Sequence, residues 1–569
     1  MLGGVLAAVA LVSASGCFKG EFANCKVTCA TSADCPGSLE CNPQGVCSPG
    51  GDMCSAMPDA DLSKPQTLTV STMGDGAVTS DPAGIDCGAT CMHDFPPLSS
   101  VTLTAAPAGT SVFDGWTGDC AGQAETCSLT MDGPKSATAK FATHGALRFV
   151  KQISFSGQDF VGSELAVDSN GDVIATGSID DQGAPGFYTV KYGKDDGHII
   201  WEKKTIVSGG FFGIGGLTTD SSGNAYMCTR FQGQGAATIG PSTVTGDLFG
   251  NVLVVKYAAA DGNIEWAKSW GGSAQEECAG IVASGTDIFV TGYTSSNPSN
   301  FDSQVLAGSV NNGFVVRAVQ SNGQAQQAIL LGANFQIYDI AENQGQIAVV
   351  GSFTASNYIT GSCNFTSTAT GTDGFIMNMS SNLVCTWNKT FGSLTANQNT
   401  ASFAVADVPG GGWAVTGYFE GSVNFAGTGS AVGNQGGRDA FIARYAGNGT
   451  HIYSFGYGAA GNDYGRGVDV TPTGEVVFGG EFQNTVTFGA TMLTTTNQDV
   501  FMTRLSAGNT PTHQWAAKVG GTASEQVQGL KVDAQGTVSV LAYWTGMTDI
   551  GGMQLTAADY DAFVGSFVR

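Results

Sequence analysis

The side chains that could carry acid–base or metal chemistry are few and scattered through this 569-residue chain. The five histidines are His93, His144, His198, His451 and His513. No two of them have the spacing of a helical zinc motif, and neither Gly-x-Ser-x-Gly nor a phosphate-binding glycine loop occurs. The sequence therefore predicts no catalytic residue, no metal site and no cofactor.

Acidic residues recur at fixed places. One series precedes a short aromatic phrase and consists of Asp373, Asp439, Asp499 and Asp561, with Asn251 and Asn312 at the same place in two other copies. Asp and Asn can both bond the backbone two residues on and fix a turn. Most catalytic carboxylates would not tolerate exchange for an amide, so the pattern favours turn capping over catalysis.

A second acidic series precedes a glycine by three residues and consists of Asp168, Asp220, Glu342, Asp407 and Asp533. This spacing predicts hairpin turns. The phrase DSNGD at 168–172 has part of a calcium-loop pattern, but the full carboxylate ladder with its distal glutamate is missing.

Fifteen cysteines are unevenly distributed, with eleven between Cys17 and Cys127. Six of them fall within thirty residues: Cys25, Cys29, Cys35, Cys41, Cys47 and Cys54. They have no histidine among them and are not grouped as two zinc knuckles, so three disulfides in a small stapled module are favoured. Six cysteines allow fifteen pairings, and the sequence does not choose among them. Such density is typical of proteins outside the cytoplasm.

Four later cysteines are Cys228, Cys278, Cys363 and Cys385. The most economical pairing joins Cys228 to Cys278 and Cys363 to Cys385, and the first bond would link neighbouring repeats. Buried free thiols are the alternative.

A repeated β structure must position these residues. From Ala146 onward an apolar residue opens a Phe-x-x-Lys-like phrase at intervals of 60 to 66 residues: Tyr188, Leu253, Phe314, Phe375, Phe441, Phe501 and Phe563. Each copy holds four short alternating runs separated by glycine turns, which predicts four strands. Four strands in a repeat of about sixty residues indicate a β-propeller blade. The predicted fold class is all-β, a seven-bladed β-propeller preceded by a small β module and a disulfide-rich segment.

The last nine residues, DAFVGSFVR, match only the opening strand of a repeat. The partial unit that begins at Ala146 lacks this strand. We expect one C-terminal strand to pair with three N-terminal strands and so close the ring, since an open sheet edge exposes unpaired backbone groups. The phrases DAFxxRY and the VTGYF-like strand ends resemble extracellular bacterial seven-bladed propeller repeats, a resemblance that leaves the function open.

Aromatic residues also follow the repeat. Trp201, Trp266, Trp387 and Trp515 share one register, and we expect them to pack between blades. Tyr543 and Trp544 follow a strand end, and we expect them to be exposed.

Residues 66–142 contain GAVTSDPAGIDCGATC, VTLTAAPAGTSVFDGW and a closing TAKF. They resemble the divergent internalin-type B-repeat, found in surface proteins as a stalk or adhesion unit. The resemblance implies local disulfides between Cys87 and Cys91 and between Cys120 and Cys127. Trp116 is expected in the core.

The N-terminal segment MLGGVLAAVALVSASGC resembles the lipobox of bacterial lipoproteins. Residues 1–16 are accordingly interpreted as a signal peptide and 17–24 as a tether lipidated at Cys17; ordinary signal cleavage with Cys17 in a disulfide is the alternative. The cysteine-rich module then spans 25–54, a linker 55–65 and the propeller 146–569. By the family's sorting habit, Phe18 favours the outer membrane.

The formal net charge of −24 argues against nucleic acid and anionic lipid surfaces as partners. We expect a noncatalytic, surface-anchored scaffold whose polar loops, such as 295–312 and 427–438, bind a carbohydrate or protein ligand. One alternative is a secreted hydrolase or lyase acting on polysaccharide or lactone, which convergent carboxylates with perturbed pKa values would favour. A structural envelope component is the other.

Lipidation is tested by metabolic labelling with a fatty-acid analogue. The native protein should take up the label and stay with the membrane fraction, whereas Cys17→Ala should lose both properties because the thioether cannot form. Equal release of the two forms into the medium would contradict the anchor.

Overall fold

A computed structural model describes residues 39–41, 47–49, 64–155, 160–181, 183–207, 211–233, 235–308, 311–354, 358–360, 363–367, 371–395, 397–425, 431–521 and 524–569. These residues form strands, turns and bends. Within these ranges there is no helix with the length and apolarity that a membrane crossing requires. Cys17 and most of the cysteine-rich segment lie outside them. In that segment, strands β1 (Leu39–Cys41) and β2 (Cys47–Pro49) pair antiparallel.

The chain forms two compact units, residues up to 109 with 115–141, and residues 110–114 with 142–569. The next eight strands are β3 Gln66–Met73, β4 Gly76–Asp81, β5 Asp86–Cys87, β6 Met92–Phe95, β7 Ser100–Pro107, β8 Ser111–Gly118, β9 Thr126–Thr130 and β10 Lys135–Thr143. They form two four-stranded sheets, ordered β6-β3-β10-β8 and β5-β4-β7-β9. The alternating apolar residues of these strands, such as Leu68 and Leu103, are buried.

Disulfides Cys87–Cys91 and Cys120–Cys127 are present in this region, in the pairing that the resemblance implied. Trp116 is buried, and its indole N–H donates to the backbone oxygen of Ala124 at 2.8 Å. The expectation that Trp116 belongs to the core is confirmed.

The remaining strands are β11 Leu147–Ile153, β12 Phe160–Val167, β13 Val173–Asp181, β14 Ala184–Tyr192, β15 Ile199–Ile206, β16 Phe211–Thr219, β17 Ala225–Gln232, β18 Gly235–Ile239, β19 Ser242–Gly246, β20 Asn251–Tyr257, β21 Ile264–Trp270, β22 Glu276–Ser284, β23 Asp287–Thr294, β24 Ser299–Phe301, β25 Gln304–Leu306, β26 Asn312–Val319, β27 Ala325–Ala333, β28 Phe335–Asn343, β29 Gln346–Phe353, β30 Tyr358–Thr360, β31 Cys363–Phe365, β32 Asp373–Ser380, β33 Cys385–Phe391, β34 Thr400–Asp407, β35 Trp413–Phe419, β36 Ser422–Val423, β37 Val432–Gly433, β38 Asp439–Tyr445, β39 His451–Tyr457, β40 Tyr464–Val470, β41 Val476–Phe488, β42 Thr491–Leu505, β43 His513–Val519, β44 Glu525–Val532, β45 Val538–Ile550 and β46 Met553–Phe567.

Most of these strands form seven four-stranded antiparallel sheets. In chain order of their first strands they are sheet I (β12-β13-β14-β15), II (β16-β17-β20-β21), III (β22-β23-β26-β27), IV (β28-β29-β32-β33), V (β34-β35-β38-β39), VI (β40-β41-β42-β43) and VII (β44-β45-β46-β11). Each first strand, from β12 to β44, lies next to the first strand of the following sheet, and β44 lies next to β12. Small sheets in this succession give a β-propeller-like fold.

Sheet VII corrects the expected strand exchange. It takes three strands from the C-terminal end and one, β11, from the N-terminal end, rather than one and three. Each sheet starts with the strand that leads into the glycine turn, and the Phe-x-x-Lys strand is its third strand. Phe160–Val167 therefore opens sheet I instead of completing sheet VII. The first seven residues of DAFVGSFVR, Asp561–Phe567, lie in β46, between β45 and β11.

The turns between first and second strands follow from short acids and glycine. Asp168 Oδ1 accepts N–H bonds from Asn170 and Asp172, and Gly171 takes a φ of 88°, which glycine adopts without strain. Asp220 and Asp533 accept the corresponding bonds in sheets II and VII. The predicted turn role of these three acids is confirmed.

Neighbouring sheets are tied by indole hydrogen bonds. A tryptophan on a fourth strand donates to the turn between the third and fourth strands of the next sheet: Trp201 to Ala259 O (3.1 Å), Trp266 to Gln320 O (3.0 Å) and Trp387 to Gly447 O (2.8 Å). The indole N–H of Trp515 has no partner in the described part of the chain. Sheet VII offers it no such turn, because its third and fourth strands come from opposite ends of the unit.

Disulfides also tie this unit. Cys228 on β17 bonds to Cys278 on β22, which links sheets II and III. Cys363 on β31 bonds to Cys385 on β33 within one repeat. Both are the pairs that the sequence favoured over free thiols.

Removal of Asp561–Arg569 should abolish cooperative thermal unfolding. The deletion takes away the partner of β11 together with the buried side chains of Phe563, Val564, Phe567 and Val568, and full burial of each contributes about 1.5–3 kcal/mol. Differential scanning calorimetry measures the effect, with removal of residues 1–63 as the control that should leave the transition of this unit in place. An unchanged transition in the nine-residue deletion would contradict the importance of this ladder.

Candidate functional site: the inner cavity and its rim

The first strands of all seven sheets line one cavity of about 260 Å³, named here the inner cavity. Its charged lining residues are Glu164, Asp339, Glu342, Asp407, Arg466, Asp469 and Lys531. They come from five different sheets, which is why the linear sequence does not show them as a group.

Every first strand carries a β-bulge at the same register. The bulged residues are Ser163, Gly215, Ala279, Tyr338, Phe403, Arg466 and Gln528. We name these seven positions the rim. A bulge redirects a side chain and is over-represented beside functional sites. The rim lies at the start of each first strand, the end at which the long connections between second and third strands also leave the sheets.

The rim is asymmetric in side-chain bulk. Sheets I to III place serine, glycine and alanine there, whereas sheets IV to VII place tyrosine, phenylalanine, arginine and glutamine. Gly215 is required by a close approach, since a Cβ at this residue would lie 1.9 Å from the backbone oxygen of Cys278. The large rim residues therefore occupy one arc of a repeated scaffold.

A stack of aromatic rings and guanidinium groups extends the rim across sheets V and VI. The Arg438 guanidinium lies 4.5 Å from the ring centroid of Tyr418 and 5.7 Å from that of Tyr464. The Arg466 guanidinium lies 4.7 Å from the Tyr464 centroid and 4.6 Å from that of Phe403. We name these five residues the aromatic–arginine stack. Cation–π contacts of this kind hold planar groups in register.

Buried or half-buried glutamates fix the two arginines. Arg438 Nε donates to Glu420 at 2.9 Å, and Arg466 Nε donates to Glu481 at 2.9 Å. The other oxygen of Glu481 accepts the backbone N–H of Val527, which connects this anchor to sheet VII. The side chains of Arg438 and Arg466 are about one-third exposed, so part of each is available to a ligand.

Aromatic residues also lie next to the aromatic–arginine stack on sheets IV and VII. Tyr338 meets Phe403 edge to face at 5.0 Å between centroids. Tyr543 is half-buried, and its hydroxyl donates a hydrogen bond to Gln526. The centroid of its ring lies 6.1 Å from that of the exposed Tyr560 ring.

Carboxyl groups inside the cavity have perturbed proton affinities. Burial, then the charge of Asp339, raises the pKa of Glu164 well above its usual value. Burial raises the pKa of Asp339 to about 6. Asp407 is solvent-exposed at the cavity, and partial desolvation there together with the charge of Asp469 raises its pKa to about 6. Although burial disfavours the ammonium, the surrounding carboxylates raise the pKa of Lys531. The cavity is thus an electrostatically coupled, largely acidic site.

Two of these carboxylates have a structural task. Asp339 accepts the backbone N–H of Val405 on the next first strand at 2.9 Å, and Asp469 accepts that of Val532 at 2.7 Å. Both bonds cross from one sheet to its neighbour. Asp407 was expected to cap a turn, but Val408 begins that turn. Asp407 lies one residue earlier and lines the cavity.

The recurrent acids open the third strands (Asp373, Asp439) or lie within them (Asp499, Asp561), and all four are buried. The predicted bonding two residues on is wrong for Asp439, Asp499 and Asp561. Asp439 accepts the N–H of Gln435, Asp499 pairs with Lys518 at 2.6 Å, and Asp561 accepts from Gln152. These partners lie on a preceding loop or on the neighbouring fourth strand. The side chain of Asn312 is also buried, and Asn251 donates to Thr245 O. The recurrence therefore reflects blade packing rather than catalysis.

The histidines do not line the inner cavity. His451 and His513 begin the fourth strands β39 and β43, and burial lowers the pKa of each. His513 contacts the hydroxyls of Tyr457 and Thr503. In the described ranges no group of three or more His, Cys, Asp and Glu is arranged to hold a metal ion. The DSNGD carboxylates of Asp168 and Asp172 face the ammonium of Lys191.

The expectation that Trp544 is exposed is wrong. Trp544 is fully buried in the core of sheets VI and VII, because the strand continues past it as a hairpin. The polar connections between second and third strands contain short hairpins, and their apolar residues, such as Phe301, Phe365 and Phe488, are buried. These segments stabilise their sheets as well as forming surface.

A buried carboxyl pair lies between sheets VI and VII. Asp499 and Glu525 have no solvent exposure, and neither oxygen of Glu525 has a hydrogen-bond partner in the described residues. Both carboxyl groups lie within 2.8 Å of the point that a Gly520 Cβ would occupy. Burial, with a further contribution from Asp499, raises the pKa of Glu525 to about 7.

This pair predicts a pH-dependent stability. Because the folded-state pKa of Glu525 exceeds its unfolded value, its favourable contribution is full below about 4.5 and is lost as the pH rises through about 7. The free energy of unfolding at pH 8 minus that at pH 5 should be larger in Glu525→Gln than in the native protein, by ~1 kcal/mol or more. Denaturant unfolding at both pH values measures this.

The exposed Glu265 provides a matched control, since Glu265→Gln alters the same side-chain type outside the core. It should leave the pH dependence as in the native chain. Parallel pH profiles for native protein and Glu525→Gln would rule out the assignment.

Residues 66–145 match the family model described as the divergent InlB B-repeat domain. Among curated protein sequences none matches this chain.

Solved structures similar to the chain include BamB from Moraxella catarrhalis (12% identity, 74% of this chain and 100% of that chain, TM-score 0.33). A quinohemoprotein alcohol dehydrogenase from Pseudomonas putida is 9% identical over 74% of this chain and 76% of that chain, with a TM-score of 0.35. A polysaccharide lyase, an ulvan lyase, is 11% identical over 69% of this chain and 93% of that chain, with a TM-score of 0.37. At these low TM-scores, none of the three carries information about the ligand or activity of this chain.

Proposed function

We propose that residues 146–569 are a seven-bladed β-propeller, closed by the pairing of β11 with β46, that binds a carbohydrate or protein ligand without catalysis. The ligand site is the rim of the inner cavity. The seven sheets, the order of their first strands and the ladder between Leu147–Ile153 and Ala562–Phe567 support closure.

The aromatic–arginine stack is the observation that carries the site. A protein that needed only blade packing would repeat the same side chain at each bulge, as it repeats the acids of the third strands. The rim instead varies from Ser163 to Arg466, and its large residues lie together on sheets IV to VII. Variation at one register of a rigid scaffold is what ligand specificity requires.

A carbohydrate suits the chemistry of this arc better than an apolar ligand. Half-buried rings such as Tyr338 and Phe403 offer faces and edges for the C–H surface of a sugar ring, and the neighbouring arginines offer N–H donors for its oxygens. Ligand pockets combine apolar area with a few positioned polar groups in this way.

The location we propose is the bacterial cell surface, through a lipid on Cys17. Four disulfides in the described chain suit an oxidising compartment outside the cytoplasm. The match to a B-repeat family at 66–145 agrees with a stalk between anchor and propeller. The outer membrane is the membrane we propose.

A hydrolase or lyase acting on polysaccharide or lactone is the second candidate, and the cavity carboxyls favour it. A group with a pKa near the working pH, such as Asp407 at about 6, can exchange protons with a substrate. Asp339, Asp469 and Glu342 already accept backbone N–H bonds, which leaves Glu164 and Asp407 as the acid–base candidates.

The binding proposal is tested with the full-length protein in detergent on an array of glycans and envelope proteins, followed by titration of the best ligand. Phe403→Ala and Tyr338→Ala should each lower affinity tenfold or more, equivalent to about 1.4 kcal/mol. Phe249→Ala removes an exposed ring outside the cavity lining and should have no effect. Loss of binding on Val305→Ser, with Phe403→Ala unaffected, would move the site to the hairpins.

Turnover separates binding from catalysis. Incubation with each bound glycan should release no shorter products or unsaturated ends. If products appear and Glu164→Gln or Asp407→Asn abolishes them while binding persists, the noncatalytic proposal is wrong.

A further inference from the structure

The arginines of the rim are held so that particular donor atoms face outward. Arg466 donates a hydrogen bond through Nε alone, to Glu481. Arg438 donates through Nε to Glu420 and through Nη1 to the Tyr464 hydroxyl at 3.0 Å. In the described residues, both Nη atoms of Arg466 and Nη2 of Arg438 thus have no hydrogen-bond partner. Both guanidinium groups also lie close to aromatic rings, so the unbonded Nη atoms are the donors left for a ligand.

A guanidinium edge has a chemical preference. It presents parallel N–H donors and no acceptor, a geometry that matches the paired oxygens of a carboxylate or sulfate. A neutral sugar hydroxyl could accept only one such bond and would leave its own proton unused. Contacts of the Arg466 guanidinium with the rings of Phe403 and Tyr464, at 4.6 and 4.7 Å, also restrict its motion before a ligand arrives.

We infer that the ligand at the rim is an anionic glycan whose sugar carboxylate or sulfate ester is bound by Arg466, with Arg438 as a second donor. The inference rests on the proposed carbohydrate-binding function. It adds the charge class of the ligand and the residues that read it. The sugar ring lies against Phe403 and Tyr338, on the same side as the Arg466 edge.

Electrostatics separates this site from a nonspecific basic patch. The chain has a net charge of −24, Glu420 and Glu481 offset the two arginines, and the inner cavity is largely acidic. The long-range field therefore repels an anion, and recognition depends on short-range paired bonds. Added salt screens the repulsion, so affinity should stay level or rise between low and physiological salt, opposite to a basic surface.

The experiment is calorimetric titration of the full-length protein in detergent with two matched probe pairs. Polygalacturonate oligosaccharides and their methyl esters test the carboxylate, and carrageenan oligosaccharides and their desulfated forms test the sulfate ester. The charged member of at least one pair should bind tenfold or more tightly than its neutral counterpart. The pair that shows the difference identifies the anionic group.

Variants assign the effect. R466Q combined with E481Q avoids leaving a buried unpaired carboxylate, and it should erase the preference for the charged probe. R466K keeps the charge but lacks the paired donors, so it should lose most of the preference for the charged probe. This single variant also tests the inference if the double variant folds poorly. R444Q, at the opposite end of β38, should retain it.

Equal binding of charged and neutral probes would overturn the anionic inference and leave the carbohydrate-binding function standing. Affinity that falls steeply with salt and equally in R444Q and R466K would also overturn it, as nonspecific attraction. Failure of all four probes to bind would count against both the inference and the carbohydrate-binding function.

Discussion

The ladder between β11 and β46 is the interaction on which the second unit depends. It places Leu147–Ile153 beside Ala562–Phe567, which joins strands from the two ends of about 420 residues. Without it β46 would have an open edge on one side, and sheet VII would have only three strands. The cost of bringing distant chain segments together rises slowly with length, so a short ladder with several buried apolar side chains can offset it. The six other sheets are each built from consecutive strands.

Within this framework, repetition and variation have separate tasks. The acids of the third strands, the indoles of the fourth strands and the Asp–Gly turns recur because each sheet must meet its neighbour in the same way. The rim varies because its residues have no partner to satisfy in every repeat. The cavity carboxylates fall between these classes, since Asp339 and Asp469 brace adjacent strands while Asp407 has no such bond to a neighbouring strand. Because two of these carboxylates brace the strands, the raised pKa values of the group are weak evidence for catalysis.

The sequence predicted much of the framework and little of the site. Four strands per repeat and the turn acids Asp168, Asp220 and Asp533 were accessible because local pattern and spacing determine them. The pairs Cys87–Cys91 and Cys120–Cys127 came from the resemblance to the B-repeat, and the two later pairs were the more economical of two alternatives. Which strand begins each sheet was not accessible from the sequence. Every strand of a repeat has the same alternating pattern, and that pattern does not show to which sheet a strand belongs. Trp544 was misjudged for a related reason, since polar neighbours in the sequence hide an apolar contact made in space.

The rim could have been found by aligning the repeats. Tyr338, Phe403 and Arg466 stand at corresponding positions after the connection from the preceding fourth strand, where other repeats have Gly215 or Ala279. The contacts of Arg438 with Tyr418 and Tyr464 could not be found in this way, because they depend on the distance between the second strand of one sheet and the first strand of the next. Such contacts follow from the packing of sheets rather than from periodicity.

The most direct test of the account is a crystal structure of the protein with a bound oligosaccharide. We predict ligand density against Tyr338 and Phe403, with an anionic group within 3.2 Å of an Arg466 Nη atom, a normal hydrogen-bond distance. Density confined to the hairpins between second and third strands, or at the opposite end of the sheets near Arg444, would contradict the rim as the functional site.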